Sequence, residues 1–129
     1  MCAVELAYIG SGPADIRTMI IKENSYDPHA EVEGLTKSHL KEGSALLDMA
    51  YVCAINSTAT IVKENGIYKR QGEPTEAALI VAAEKIGKVH SNTDLDKSVT
   101  PFLDLVTKKI NKIGVLEFSS DRKTMSTII

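Results

Sequence analysis

Hydrophobic and polar positions alternate with two different periods along the chain, and the period of two appears first. Alternation over Met1–Ile9 predicts a strand, and the β-prone run Arg17–Lys22 predicts a second one. The Asn65-Gly66 pair separates two short β-prone runs, which predicts a hairpin because both residues tolerate positive φ. Two more strands are predicted at Ile113–Phe118 and Thr124–Ile129, with a tight turn between them.

A helical period governs three other segments. The first is Ser38–Asn56, with its opening serine as the candidate N-cap. The clearest helix is Pro74–Ile86, because proline fits a first turn and Gly87 suits the C-terminal stop. Its predicted buried stripe consists of Ala78, Leu79, Ala82, Ala83 and Ile86. The polar stretch Lys88–Asp96 is interpreted as a loop, and Thr100-Pro101 opens a third helix.

The order of these elements predicts the fold class. Short strands lie beside hairpin turns, and the helices come between them without regular βαβ alternation. This order is typical of an α+β fold with an antiparallel β-sheet flanked by helices. We interpret residues 1–129 as a single domain. Because Ile128 and Ile129 are apolar strand formers at the end of the chain, we expect this domain to be partial and truncated on its C-terminal side.

Composition and charge narrow the possible functions. The net charge of −2 over 129 residues lacks the basic surplus of a nucleic-acid-binding protein. No apolar run approaches the length of a membrane span, so we expect no direct membrane contact. Cys2 and Cys53 stand alone and the three histidines are isolated, so we assign no metal. The chain has no nucleophile–base pair and no glycine-rich phosphate loop, which argues against an unrelated small enzyme.

Two segments carry more specific information. Residues 69–79 read Lys-Arg-Gln-Gly-Glu-Pro-Thr-Glu-Ala-Ala-Leu, and residues 116–126 read Leu-Glu-Phe-Ser-Ser-Asp-Arg-Lys-Thr-Met-Ser. Together they resemble the nucleotide-binding domain of P-type ATPases, and most of all the sarcoplasmic/endoplasmic reticulum calcium-transporting pumps. Two weaker segments, 26–32 and 53–57, also resemble this family in its order and spacing.

The resemblance implies an adenine pocket and a set of site residues. In the family pattern Phe118 stacks on adenine, Glu76 lies near the adenine amino group, and Thr75 lies beside it. Lys123 supplies a positive group near the nucleotide, and Met125 forms part of the pocket wall. The implied cofactor is ATP, as Mg-ATP in the whole pump.

Each of these residues also has a purely structural interpretation. Without the resemblance, Phe118 is more often a core residue, and Met125 would fill the core. Glu76 would be a carboxylate that favours the helix N-terminus, and Thr75 would satisfy backbone groups in the first turn. Lys123 would be a solvated charge in a turn.

The chain also departs from the family pattern. Ser120 stands where the family has an arginine that contacts the nucleotide phosphates, and serine cannot make a bidentate phosphate contact. The Asp-Lys-Thr-Gly-Thr motif with the phosphorylated aspartate and the Lys-Gly-Ala motif with a pocket lysine do not occur between Met1 and Ile129. The chain is therefore not expected to be catalytic alone.

Two functional hypotheses follow. In the first, the chain is the ATP-binding portion of a calcium pump and positions ATP for phosphoryl transfer to an aspartate on another domain. Its partners are then ATP and the remaining domains of the pump, and its place is the cytoplasmic face of the endoplasmic or sarcoplasmic reticulum membrane. In the second, it is a stand-alone interaction or regulatory module of the same fold that has lost nucleotide binding.

Overall fold

The computed structural model describes residues 2–3, 5–10, 12–22, 25–91 and 98–129. In chain order the elements are β1 (Glu5–Ile9), β2 (Ile16–Ile20), a short 3-10 helix (Lys37–His39), α1 (Ala45–Ile55), β3 (Thr60–Glu64), β4 (Ile67–Gln71), α2 (Pro74–Ser91), α3 (Pro101–Lys109), β5 (Gly114–Ser119) and β6 (Thr124–Ile128). The predicted α+β class is confirmed. None of the described helices is long and apolar enough to cross a membrane.

The strands form hairpins rather than the predicted single sheet. Among the described residues, β1 pairs with β2, β3 with β4, and β5 with β6, each time antiparallel, in three separate two-stranded sheets. Each strand thus pairs with its neighbour in sequence, because helices separate one hairpin from the next along the chain. A single antiparallel bridge between Ile21 and Val32 lies just beyond the first hairpin.

The β3–β4 hairpin forms where the Asn-Gly pair predicts it. Asn65 has φ of 51° and Gly66 has φ of 79°, the left-handed conformation that both residues tolerate. Glu64 pairs with Ile67 directly across this two-residue turn. The local turn chemistry therefore sets the register of the whole hairpin.

The first helix begins later than predicted. Ser38 lies in the short 3-10 helix, whereas α1 begins at Ala45 with Ser44 as its N-cap. The Ser44 Oγ accepts a hydrogen bond from the Leu47 N–H at 3.4 Å. Gly43, with φ of 76°, has a left-handed conformation that interrupts a right-handed helix. The prediction of Ser38 as N-cap was wrong for this reason.

The second helix ends later than predicted. It begins at Pro74 as expected but continues through Gly87 to Ser91, so the loop prediction was wrong for residues 88–91. Residues 92–96, the rest of that predicted loop, lie outside the described residues. Gly87 remains helical because it is a packing residue: a Cβ built on it would overlap the ring of Phe102. The third helix begins at Pro101, as predicted.

Helix α2 connects two hydrophobic clusters. The larger cluster lies between α1, the second half of α2, α3 and the first hairpin, and includes Leu47, Ile86 and Phe102. The smaller cluster packs the first half of α2 under the β3–β4 hairpin and includes Ile61 and Ile80. The start of α2 is consequently held by the β3–β4 hairpin, and its second half by the helical core.

A buried carboxylate joins α2 to α3. Glu84 is 1% exposed, and its two carboxylate oxygens accept the N–H groups of Phe102 at 3.0 Å and Leu103 at 2.8 Å. The α3 N-cap, Thr100, makes no side-chain capping bond, so Glu84 caps this helix from outside it. Burial raises the pKa of Glu84 to about 7 although both N–H donors favour its charged form, and the nearby Asp104 adds to the rise.

Candidate functional site

A cleft of about 480 Å³ lies between the start of α2 and the β5–β6 hairpin. Its lining residues are Asn56, Glu73, Thr75, Glu76, Leu79, Phe118 and Met125. Four predicted site residues therefore meet here although α2 and the hairpin are distant in sequence. The other two, Ser120 and Lys123, do not line this cleft.

A bulge in the last hairpin accounts for the placement of Phe118. Leu116 pairs with Ser126 and Ser119 pairs with Thr124, so Glu117 and Phe118 together face the single residue Met125. Two residues opposite one are the signature of a β-bulge, which changes the direction of a side chain. Phe118 is 60% exposed, so its interpretation as a core residue was wrong.

Glu76 is held by a set of hydrogen bonds at the start of α2. Its Oε2 accepts the Thr58 N–H at 2.6 Å, the Thr58 hydroxyl at 2.9 Å and the Ala59 N–H at 3.1 Å. The Ser57 hydroxyl donates to the same oxygen at 3.4 Å. Burial on its own would raise the pKa of Glu76, but these donors outweigh it and hold the pKa below its ordinary value. The cleft thus contains an ionised carboxylate in a fixed position.

The exposed face of α2 completes this wall of the cleft. Thr75 and Leu79 are four residues apart and therefore lie on the same side of the helix. Leu79 is 38% exposed and lines the cleft, so its assignment to the buried stripe was wrong. Its spacing from Thr75 is the sequence signal that identifies it as a wall residue.

Two further lining residues were missed at the sequence level. Asn56 is the C-cap residue of α1, and Glu73 immediately precedes α2. Glu73 is adjacent in sequence to Pro74 and Thr75, so its position next to the motif was a usable signal. Asn56 lies in the weaker segment 53–57 that resembles the family, but that segment gave it no site role, because its place in the cleft depends on how α1 packs against α2.

Ser120 and Lys123 lie in the turn of the β5–β6 hairpin, and both are exposed. Lys123 has φ of 56°, and its N–H donates to the carbonyl of Ser119 at 2.7 Å to close the turn. The neighbouring Arg122 guanidinium donates to the Glu117 carbonyl at 2.6 Å. The positive side chains of the hairpin are thus grouped at its tip, beyond the Phe118 wall.

Comparison with known proteins places these elements in a family. The family model described as P-type ATPase, cytoplasmic domain N, matches residues 44–129. This chain belongs to that family. All seven residues that line the cleft fall inside the matched region, so the cleft is a feature of the part of the chain that is domain N. The resemblance found in the two sequence motifs is confirmed.

Curated relatives of this domain N chain are endoplasmic reticulum calcium pumps. It is 30% identical to Calcium-transporting ATPase 2, endoplasmic reticulum-type, of Arabidopsis thaliana, over 100% of this chain and 13% of the relative. It is 27% identical to Calcium-transporting ATPase 4, endoplasmic reticulum-type, of the same plant, over 100% of this chain and 12% of the relative. Identity to the Endoplasmic reticulum calcium ATPase srcA of Aspergillus fumigatus is 26%, over 100% of this chain and 14% of the relative. The chain thus spans a small part of the length of each relative.

Proposed function

We propose that this chain binds the adenosine part of ATP in the cleft between α2 and the last hairpin. The observation that carries the proposal is the meeting of an exposed aromatic ring, Phe118, with the ionised carboxylate of Glu76 across one cavity. In this role the chain positions ATP for phosphoryl transfer, and the aspartate that accepts the phosphoryl group belongs to another domain.

The size and chemistry of the cleft suit an adenine base. Its volume of about 480 Å³ lies within the usual range for small-molecule pockets. The exposed Phe118 ring offers a stacking surface, and Leu79 and Met125 provide apolar walls. The carboxylate of Glu76 is an acceptor for the exocyclic amino group of adenine, with Thr75 beside it.

The phosphates of the nucleotide would extend from the cleft towards the tip of the hairpin. Lys123 lies there as a point charge for a phosphate group, and Ser120 offers a hydroxyl where the family has an arginine. An exposed ammonium group contributes little in high dielectric, so most of the binding energy is expected from the base. In the whole pump the proposed ligand is Mg-ATP.

The wider role follows from the relatives. We propose that the chain is the nucleotide-binding part of a P-type calcium-transporting ATPase on the cytoplasmic face of the endoplasmic reticulum membrane. Its protein partners are the other domains of that pump, which supply the phosphorylated aspartate and the calcium pathway. The contribution of domain N to such a reaction is positioning, which converts an encounter between two reactants into a reaction within one complex.

The alternative hypothesis is an interaction module that keeps the fold and has lost nucleotide binding. Ser120 in place of an arginine favours this alternative, because a serine cannot make the bidentate phosphate contact that an arginine can. The exposed apolar side chains of Leu116 and Ile128 on the last hairpin favour it as well. The ATP-binding hypothesis and the interaction-module hypothesis predict opposite results for an ATP titration.

The experiment is a titration of the purified chain with ATP, followed by NMR chemical shifts and calorimetry. Saturable binding is expected, and Phe118→Ala should weaken it by at least about fivefold, since stacking of a base on an aromatic ring contributes on the order of 1–3 kcal/mol. The matched control is Ile67→Ala, which removes a 63% exposed strand residue outside the cleft and should leave affinity unchanged. A folded chain without binding at millimolar ATP would favour the interaction module.

A further inference from the structure

The two walls of the cleft are carried by different parts of the molecule. Thr75 and Glu76 belong to α2, which is anchored in both hydrophobic clusters. Phe118 and Met125 belong to the β5–β6 hairpin, whose large apolar side chains are mainly exposed. The opening of the cleft therefore depends on whatever holds the hairpin against the helices.

A hydrogen bond from strand β6 to the end of α1 holds the hairpin against the helices. The Thr127 hydroxyl on β6 donates to the Asn56 Oδ1 at 2.9 Å, across 71 positions of sequence. Among the described residues, it is the one hydrogen bond that joins a strand residue of this hairpin to a helix or its cap. The backbone of Asn56 is held as the C-cap of α1, because its N–H donates to the Val52 carbonyl at 2.8 Å.

A second contact holds the base of the hairpin at the same place. The Lys112 ammonium group, two residues before β5, donates to the Ile55 carbonyl at 3.0 Å and to the Ser57 carbonyl at 3.4 Å. Lys112 and Thr127 thus both attach to the C-terminal end of α1. Lys112 fixes where the hairpin begins, whereas Thr127 fixes how the strands lean relative to α2.

Asn56 lies between two hollows of the surface. It lines the cleft beside Phe118 and Met125, and it also lines a smaller hollow of about 280 Å³ that Thr127 shares. The wall between the two hollows therefore contains the hydrogen bond. Loss of this bond would let the hairpin move away from α2, because the exposed side chains of Leu116, Phe118 and Ile128 oppose the movement little.

We propose that the Asn56–Thr127 hydrogen bond sets the opening of the cleft, which makes Asn56 the positioning residue for Phe118. Asn56 acts through Thr127 on the hairpin that carries the ring. The expected effect of this hydrogen bond on ATP affinity rests on the proposed function, whereas its expected effect on the order of the hairpin does not.

The first test uses the chain without ligand. Backbone ¹⁵N order parameters are measured for β5, β6 and α2 in the wild type, Asn56→Ala, Thr127→Val and Thr127→Ser. We expect the order parameters of the hairpin to fall in Asn56→Ala and Thr127→Val while those of α2 stay constant. Thr127→Ser keeps the hydroxyl, so its hairpin order parameters should stay at the wild-type values. A general loss of stability would lower them in Thr127→Ser as well.

The second test measures the affinity for ATP of the same variants. Removal of one neutral hydrogen bond should weaken binding by about three- to tenfold in Thr127→Val, with recovery in Thr127→Ser. The double variant Asn56→Ala/Thr127→Val should bind no more weakly than Asn56→Ala alone, because both changes break the same bond.

The outcomes separate the two proposals. Hairpin order parameters that remain at wild-type values in both Thr127→Val and Asn56→Ala would overturn the positioning role, whatever ATP does. A wild-type chain that fails to bind ATP overturns the proposed function, and the ligand-free order parameters still decide the role of Asn56. Equal ATP affinity in all variants, with Phe118→Ala much weaker, would retain the proposed function and reject the positioning role.

Discussion

Gly87 of α2 packs so closely against the ring of Phe102 of α3 that a Cβ on the glycine would overlap the ring. Phe102 is fully buried in the larger hydrophobic cluster, so the ring cannot move aside into solvent. The contact allows α2 and α3 to approach each other, and the adjacent turn of α2 places Glu84 against the start of α3.

The first prediction concerns this contact. Gly87→Ala should lower the free energy of unfolding by about 1–3 kcal/mol, because an added methyl group in a packed interior forces neighbouring side chains to shift. In an exposed helix the same change would increase stability by about 1 kcal/mol. Urea unfolding followed by circular dichroism measures the difference. The control is Gly12→Ala, where a Cβ would meet nothing within 4 Å. A stabilised Gly87→Ala variant would contradict the packing argument.

The second prediction is a pH dependence of stability that arises from Glu84. Its pKa of about 7 in the folded chain exceeds the ordinary value of 4.5, so the folded state binds a proton more tightly than the unfolded state. The resulting stabilisation is complete below pH 4.5 and is lost as the pH rises through 7. The difference is on the order of 3 kcal/mol.

Glu84→Gln provides the measurement of that dependence. Glutamine keeps one acceptor for the N–H groups of Phe102 and Leu103 but does not titrate, so the decline of unfolding free energy between pH 5 and 8 should become smaller. Asp104, the charged neighbour that faces Glu84, remains unchanged in this variant. An identical decline in wild type and variant would assign the pH dependence to other groups.

The third prediction concerns the double role of Glu76. Glu76→Gln replaces an ionised acceptor of the Thr58 and Ala59 donors, and we expect a loss of about 1–3 kcal/mol of unfolding free energy. ATP affinity should fall as well, because the carboxylate is the proposed acceptor for the adenine amino group. The matched control is Glu73→Gln, an exposed lining residue of the same cleft. Equal effects of the two substitutions on stability would contradict a specific role for Glu76.

The fourth prediction tests the departure at Ser120. Ser120→Arg should strengthen ATP binding by about three- to tenfold, since a guanidinium group forms charge-assisted contacts with phosphate. Adenosine binding should not change, because adenosine has no phosphate. Ser120→Gln, a long neutral side chain, serves as the control and should bind ATP like the wild type. An Arg variant that binds ATP and adenosine with unchanged affinity would show that the phosphates do not reach the hairpin tip.

Local preferences accounted for much of the fold. The Asn65-Gly66 turn, the start of α2 at Pro74 and the start of α3 at Pro101 all follow from conformations that a few neighbouring residues select. The two motifs also identified the family. In each case the information lies within one stretch of sequence, so no distant contact was needed to interpret it.

Distant contacts account for the failures. Gly87 was expected to end α2, but the ring of Phe102 occupies the space that a side chain would need, and the helix continues. Ser38 was expected to cap α1, but Gly43 interrupts the helical period that the hydrophobic pattern suggested. Gly87 fits the local preference for a helix end and Ser38 fits that for a helix start, but their tertiary surroundings give them other positions.

The candidate site also combines features that the sequence predicted with features that depend on distant contacts. Thr75, Glu76, Phe118 and Met125 were named from two motifs, whose resemblance to the family implied one shared pocket. The exposure of the ring and the hydrogen bonds that keep the carboxylate ionised came only from the structure. The bulge opposite Met125 and the place of Asn56 in the wall arise from strand pairing and helix packing. Periodicity along a chain records which residues share a face, whereas a cleft is defined by the distance between faces, and that distance exists only after the chain has folded.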